Sequence, residues 1–194
     1  MIINDKKSTG VAILTGGLSS RMGYPKAELE IKCEESVKTF LEKLCDEFCD
    51  FDEKYVSMNS KQKYTCDGYT AIIDEFDGIG PIGGIWSVLN NSKADAVFFL
   101  ACDMPLFTKE AAEFFISKWD GSKVAISYVN GIRQPLAAIY TKDCLAQLKI
   151  QLANGQYKPG MLIDRLDGQR IDMSSFEKCF TNVNTLEDYE KLEK

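Results

Sequence analysis

The sequence predicts an α/β fold with a mostly parallel sheet flanked by helices. Short apolar runs alternate with segments of helical period along most of the chain. One run, Ala96–Ala101 (AVFFLA), is continuously apolar, as a strand covered on both faces must be. Three runs end in residues with chemistry to offer: Leu14 before Thr15-Gly16-Gly17, Ile73 before Asp74, and Ala101 before Cys102-Asp103. In open sheets of this class, ligands bind outside the carboxyl ends of the strands.

Val11–Leu14 reads as a buried strand stopped by a glycine turn. From Ser36 onward Val37, Phe40, Leu41, Leu44, Cys45 and Phe48 recur at helical spacing, which predicts an amphipathic helix. Tyr55–Asn59 and Tyr69–Ile73 are expected strands, and Ile85–Leu89 opens a helix after a Gly/Pro-rich turn. A helix over Thr108–Lys118 is followed by strands at Lys123–Val129 and Pro135–Tyr140. Helices at Thr141–Leu152 and Lys158–Leu166 come next. Cys179–Val183 is expected to be a short strand. The closing helix, Thr185–Leu192, has Thr185 and Asp188 spaced nearly as a capping box. The chain reads as one domain over residues 1–194; residues from about 130 to 172 alternate less regularly, as an insertion or a lobe closing one side of a site would.

Composition narrows the chemistry. The 194 residues include no histidine, so imidazole acid–base catalysis, Ser-His-Asp systems and histidine metal sites are excluded. A net charge of −6 argues against generic binding to nucleic acid or anionic membranes. The N-terminus lacks the apolar region of a secretory signal, and no apolar run is long enough to span a bilayer. Seven cysteines, odd in number and without a CxxC pair, read as reduced thiols of a cytoplasmic protein. Cys45 and Cys49 could share a helix face, where packing suits them better than zinc.

The densest motif is LTGGLSSRMGYPK, residues 14–26. Its glycines admit close backbone approach by a ligand, and Arg21 and Lys26 bring two cations suited to polyphosphate. The loop could equally be a surface turn with two solvated cations. It lacks the spacing of a Walker A loop. Gly78–Gly83 matches GxGxxG, but residues 75–77 separate it from the strand, and Pro81 removes an N–H where pyrophosphate would sit. Asp103, just past a buried strand, is placed either to ligate Mg²⁺ or to cap the next turn. Asp74 has the same two readings. Asn182 and Asn184 fall on one side of an extended segment and could hold a polar heterocycle or form a plain polar turn. Arg133 could face an anion or solvent, and the same holds for Arg165 and Arg170.

Taken together, the motifs resemble a known family. LTGGLSSRMGYPK is similar to the LAGGxSxRMGxxK signature of nucleotidyltransferases, and FFLACDMP resembles their D-x-P strand. DEFDGIGPIGGIWSVL, RQPLAAIY and NVNTLEDY resemble further blocks of the molybdenum cofactor guanylyltransferase (MobA) branch. The likeness runs from about residue 9 to 191 and implies a three-layer Rossmann-like fold. It implies transfer of GMP from GTP to the phosphate of the molybdopterin-bound molybdenum cofactor, with Mg²⁺ as cofactor. It also implies that Leu14, Thr15, Gly16, Lys26, Asp74 and Asp103 bind GTP, that Asp103 holds the metal, and that Arg21, Lys26 and Asp103 are catalytic. Asn182 and Asn184 would meet the acceptor, with residues 130–172 as an acceptor-side lobe. Implied partners are GTP, molybdopterin and proteins that deliver the molybdenum cofactor. Thr15 departs from the usual alanine, and the asparagine often found after the second strand is Ser57 or Asn59 here. A CTP-using nucleotidyltransferase and a non-catalytic nucleotide-binding protein remain as alternatives.

Overall fold

The structure, a computed structural model, describes residues 8–16, 24–33 and 36–192. Nine strands and six α-helices are placed among them: β1 (Thr9–Leu14), β2 (Glu30–Lys32), β3 (Val37–Thr39), α1 (Phe40–Glu47), β4 (Lys54–Met58), β5 (Thr70–Ile73), α2 (Pro81–Asn91), β6 (Ala96–Ala101), α3 (Lys109–Lys118), β7 (Val124–Val129), β8 (Ile132–Thr141), α4 (Leu145–Ala153), α5 (Pro159–Arg165), β9 (Gln169–Asp172) and α6 (Leu186–Leu192).

Seven strands form one sheet in the order β5-β4-β1-β6-β8-β7-β9. β8 runs antiparallel to both its neighbours, and every other pairing is parallel. All six residues of β6 are buried, as its unbroken apolar run requires. Side chains alternate across β1. Val11 and Ile13 join a core that includes Leu41 and Leu44 of α1, Phe48 at its C-terminal cap, and Ala111 and Phe115 of α3. Ala12 and Leu14 join Ile82, Ile85, Leu148 and Leu162 from α2, α4 and α5. The result is three layers, helix on sheet on helix. Residues 130–172 supply β8 and β9 of this same sheet together with α4 and α5.

Local chemistry sets the helix ends. Thr39 and Glu42 form a reciprocal capping box on α1, at 3.1 and 2.7 Å. α1 therefore begins at Phe40, not Ser36; Val37–Thr39 pair antiparallel with Glu30–Lys32 in a separate two-stranded ribbon. Gly80, at φ 79°, turns the chain into α2, and Pro81 occupies the first helical position, where no N–H is needed. The expected Thr185–Asp188 pairing caps α6, at 3.1 and 2.9 Å.

Two further expectations are corrected. Cys179–Val183 is not a strand: a 3₁₀ segment covers Ser174–Phe180, and the chain then runs extended without joining the sheet. Cys179 and Phe180 bury in the core that contains Phe98 and Phe107, with Phe180 edge-on to Phe107 at 5.3 Å, and Val183 packs with Ile31 and Phe40. The sheet edge is taken by β9, where Ile171 is the only buried residue. Among the described residues no helix is long and apolar enough to cross a membrane.

Candidate active site

The order of strands brings the carboxyl ends of β5, β4, β1 and β6 side by side. Consecutive strands step outward from β1 through β4 to β5, and β6 returns to the other flank of β1. This change of direction opens a crevice at the ends of β1 and β6. Leu14 ends β1 there, and Thr15 and Gly16 follow it. The Thr15 N–H donates to the Ser57 carbonyl at 3.0 Å, and the Cys102 N–H to the Leu14 carbonyl at 3.0 Å. Both strand ends are thus tied to β1.

On the β6 side, the Lys26 ammonium lies 2.9 Å from Asp103 Oδ2, and both side chains are 19% exposed. The same ammonium donates to Asn184 Oδ1 at 2.5 Å. The extended segment that carries Asn184 is held to β6 by the Val183 N–H, which donates to the Asp103 carbonyl at 2.9 Å. Three residues expected from sequence therefore meet at one point. Asn182 does not join them; its amide donates to the Phe180 carbonyl at 3.1 Å. Asp103 Oδ1 is buried and has no hydrogen-bond partner among the described residues. A buried carboxylate oxygen left without a partner is costly. An approaching cation would satisfy it. No group of three or more acidic or thiol side chains converges among the described residues. The donor set fits an ion that takes one carboxylate and completes its shell with water and phosphate. Burial, helped by Asp103, pushes the neighbouring Cys102 thiol up to about 12, so it stays protonated and unreactive.

On the β5 side, the Ser57 hydroxyl donates to Asp74 Oδ1 at 2.6 Å. Burial pushes the Asp74 carboxyl up to about 6, against the opposing effect of that hydrogen bond. Asp77 adds to the upward shift. The first turn of α2 presses onto this corner: a Cβ at Gly84 would run into Ser57 Oγ and Leu14 Cδ2. Asn59 bonds locally, its Oδ1 accepting the Lys61 N–H at 2.9 Å. Of the two candidates left by the sequence, Ser57 is the one that touches Asp74.

Arg21 lies outside the described residues, as do Gly17, Ser19 and Ser20. Arg133 pairs with Asp164 at 2.6 Å on an exposed surface, and Arg170 lies over the Tyr128 ring at 5.4 Å. Sequence reasoning passed over Gln62 and Tyr64, which bond to Thr15 and Glu28. They lie in a polar connection with no period, so no pattern marked them.

Residues 11–170 match the family model described as a MobA-like NTP transferase domain. The chain belongs to this family. The match takes in β1 through the middle of β9, hence both flanks of the crevice except Asn182 and Asn184. As a MobA-like chain it is a nucleotidyltransferase. It is 32% identical over 195 aligned residues to a probable molybdenum cofactor guanylyltransferase of Clostridium perfringens, covering 96% of each chain. It is 29% identical to a molybdenum cofactor guanylyltransferase of Syntrophotalea carbinolica, across 95% of this chain and 90% of the relative. Among solved structures it resembles the molybdopterin-guanine dinucleotide biosynthesis protein A of Archaeoglobus fulgidus. The TM-score is 0.76 at 22% identity, over 95% and 96% of the two chains. A 2-C-methyl-D-erythritol 4-phosphate cytidylyltransferase of Thermus thermophilus shares the fold at 14% identity, with a TM-score of 0.71 over 95% and 96%. The MobA-like fold thus recurs in proteins named for different nucleotides.

Proposed function

We propose that this chain transfers GMP from GTP to the terminal phosphate of the molybdopterin in the molybdenum cofactor. The products are molybdopterin guanine dinucleotide and pyrophosphate. The observation that carries this reading is the meeting of Lys26, Asn184 and Asp103 at the end of β6, with Asp103 Oδ1 lacking a hydrogen-bond partner among the described residues. The names of the relatives supply the acceptor and the nucleotide.

Asp103 would hold Mg²⁺. Bound there, the ion would neutralise phosphate charge as it develops. Lys26 binds the phosphates by exchanging its bond to Asp103 for one to the substrate. Leu14, Thr15 and Gly16 let the nucleotide lie close to the backbone, and Asp74 offers its oxygens to the nucleotide from the other flank. Asn184 orients the acceptor, and Asn182 ties the segment that carries it to the Phe180 carbonyl. Arg21 adds a second cation to the phosphates. The nucleophile is a phosphate oxygen, already ionised at neutral pH, so no general base is required. Alignment and charge neutralisation do the catalysis. A chain without histidine lacks nothing for that task. Residues 130–172 form the acceptor side, and the whole chain acts as one domain. We infer a cytoplasmic setting from the seven unpaired thiols; proteins that deliver molybdopterin are the expected partners.

Pyrophosphate release from GTP with molybdopterin and Mg²⁺ tests the reading. We expect Asp103→Ala to reduce it by about a hundredfold or more. Retained turnover would remove Asp103 from its role. Faster turnover with CTP than GTP would overturn the choice of base while leaving nucleotidyl transfer intact.

A further inference from the structure

The carboxamide of Gln62 uses its full bonding capacity within the connection between β4 and β5. Its Oε1 accepts the Asn59 N–H at 3.0 Å and faces the Thr15 hydroxyl at 3.3 Å. Its Nε2 donates to the Thr15 carbonyl at 3.4 Å and to the Tyr64 hydroxyl at 3.2 Å. The Tyr64 hydroxyl in turn donates to Glu28 Oε1 at 3.2 Å. Glu28 closes the same 3₁₀ turn that begins with Lys26. A carboxamide has two donors and two acceptor sites, so this side chain has a single orientation that satisfies all four contacts.

We propose that Gln62 is a positioning residue for nucleotide binding, with Tyr64 as its relay. It braces the end of β1 against the turn that carries Lys26, across a gap of 47 positions in sequence to Thr15. Neither side chain touches Asp103, Asp74 or Asn184 by any hydrogen bond described above, so both act through Thr15 and Glu28. Thr15 is where this role becomes legible. Its hydroxyl shares its one proton between the Ser57 carbonyl at 2.8 Å and, more weakly, Gln62 Oε1 at 3.3 Å, while its carbonyl accepts from Gln62 Nε2 at 3.4 Å. The turn is thereby pinned from two sides.

The inference rests on the nucleotide lying over Thr15 and Lys26, as in the proposed function. Gln62→Met keeps length and bulk but removes all four contacts. Titration calorimetry of the full chain with Mg–GTP and Mg–CTP should show about a fivefold to tenfold weaker Kd in this variant. Tyr64→Phe should weaken it less. The double variant should match Gln62→Met within twofold, because the two residues form one chain of bonds. In turnover, the KM for nucleotide should rise while kcat and the KM for acceptor stay within twofold. Gln62→Glu keeps the acceptors and loses the donors, so it should not restore binding. If the wild type binds nucleotide and Gln62→Met binds equally well, the brace falls and the proposed function stands. Strictly additive effects of Gln62→Met and Tyr64→Phe would also overturn it, as would a lower melting temperature and kcat with both KM values unchanged. A wild-type chain that binds neither nucleotide overturns both readings.

Discussion

Asp74 shows how one residue couples the site to stability. Its carboxyl titrates near 6 in the folded chain and near 3.9 when unfolded. Between those values the folded state holds more protons, so stability falls as pH rises from about 4 to about 6. Above that window the cost of burying the charge is present in full. Asp74→Asn should therefore raise the melting temperature at pH 7 by roughly 3–6 °C, corresponding to about 1–2 kcal/mol after allowance for partial exposure. Thermal unfolding at pH 4, 6 and 7.5 checks the sign: the variant's gain should vanish at pH 4. The nucleotide Kd of the wild type should also weaken below pH 6, where Asp74 becomes protonated. Gly84 makes a steric prediction. Gly84→Ala forces its new methyl against Ser57 and Leu14 and should cost about 1–3 kcal/mol, read as a lower urea midpoint. Sequence chemistry picks out Lys26, Asp103 and Asn184 by type. Their meeting spans 77 and 158 positions, and only the fold decides which of several lysines and asparagines converge. Asn182 illustrates the limit: it matched Asn184 in type and spacing but bonds to its own segment.

Elements are legible where a local rule dominates. The cap residues Thr39, Thr108 and Thr185 are short-range signals, and each accepts an N–H from the first turn of its helix. Thr39→Ala removes the hydroxyl that accepts the Glu42 N–H, leaves the Thr39 N–H to Glu42 bond, and should cost about 1 kcal/mol, or roughly 2–4 °C by circular dichroism. The nucleotide KM should not change. The helix expected from Ser36 fails at its start because Val37 happens to lie three and four positions before Phe40 and Leu41. Helical spacing cannot separate that coincidence from a true helix face, whereas the Thr39 cap does. The reversal of β8 also had a local signal. Asn130-Gly131, at φ 50° and 81°, makes the two-residue turn that joins β7 to β8 as an antiparallel hairpin. β9 and the segment around Cys179 went the other way. Gln169–Asp172 carries a single apolar residue, and Cys179–Val183 carries three, yet the weaker pattern occupies the sheet edge. Which of two short segments pairs is decided by the neighbours available, not by their own composition.

At the scale of the whole molecule, the core on the α1 and α3 face is centred on Phe107. Its ring lies 6.4 Å from Phe48 at the C-terminal cap of α1, 5.7 Å from Phe98 of β6 and 5.3 Å from Phe180 of the C-terminal segment. Phe180 precedes Asn184 by four positions, so this cluster also anchors the chain that brings Asn184 to Lys26. Phe107→Ala should cost about 3–5 kcal/mol by urea unfolding. It should also weaken the response of turnover to acceptor more than to nucleotide, because Asn184 loses its anchorage. Alternating apolar runs, the AVFFLA strand and the absence of histidine were enough to establish the α/β class and a chemistry without imidazole, because burial period and side-chain identity are local properties. The residues of the crevice were likewise chosen in advance by their placement after strands. Strand order, the surroundings of Asp103 and the Gln62 brace all depend on segments distant in sequence. They were settled only when the chain packed, since hydrogen bonding and burial between such segments are set by proximity in space.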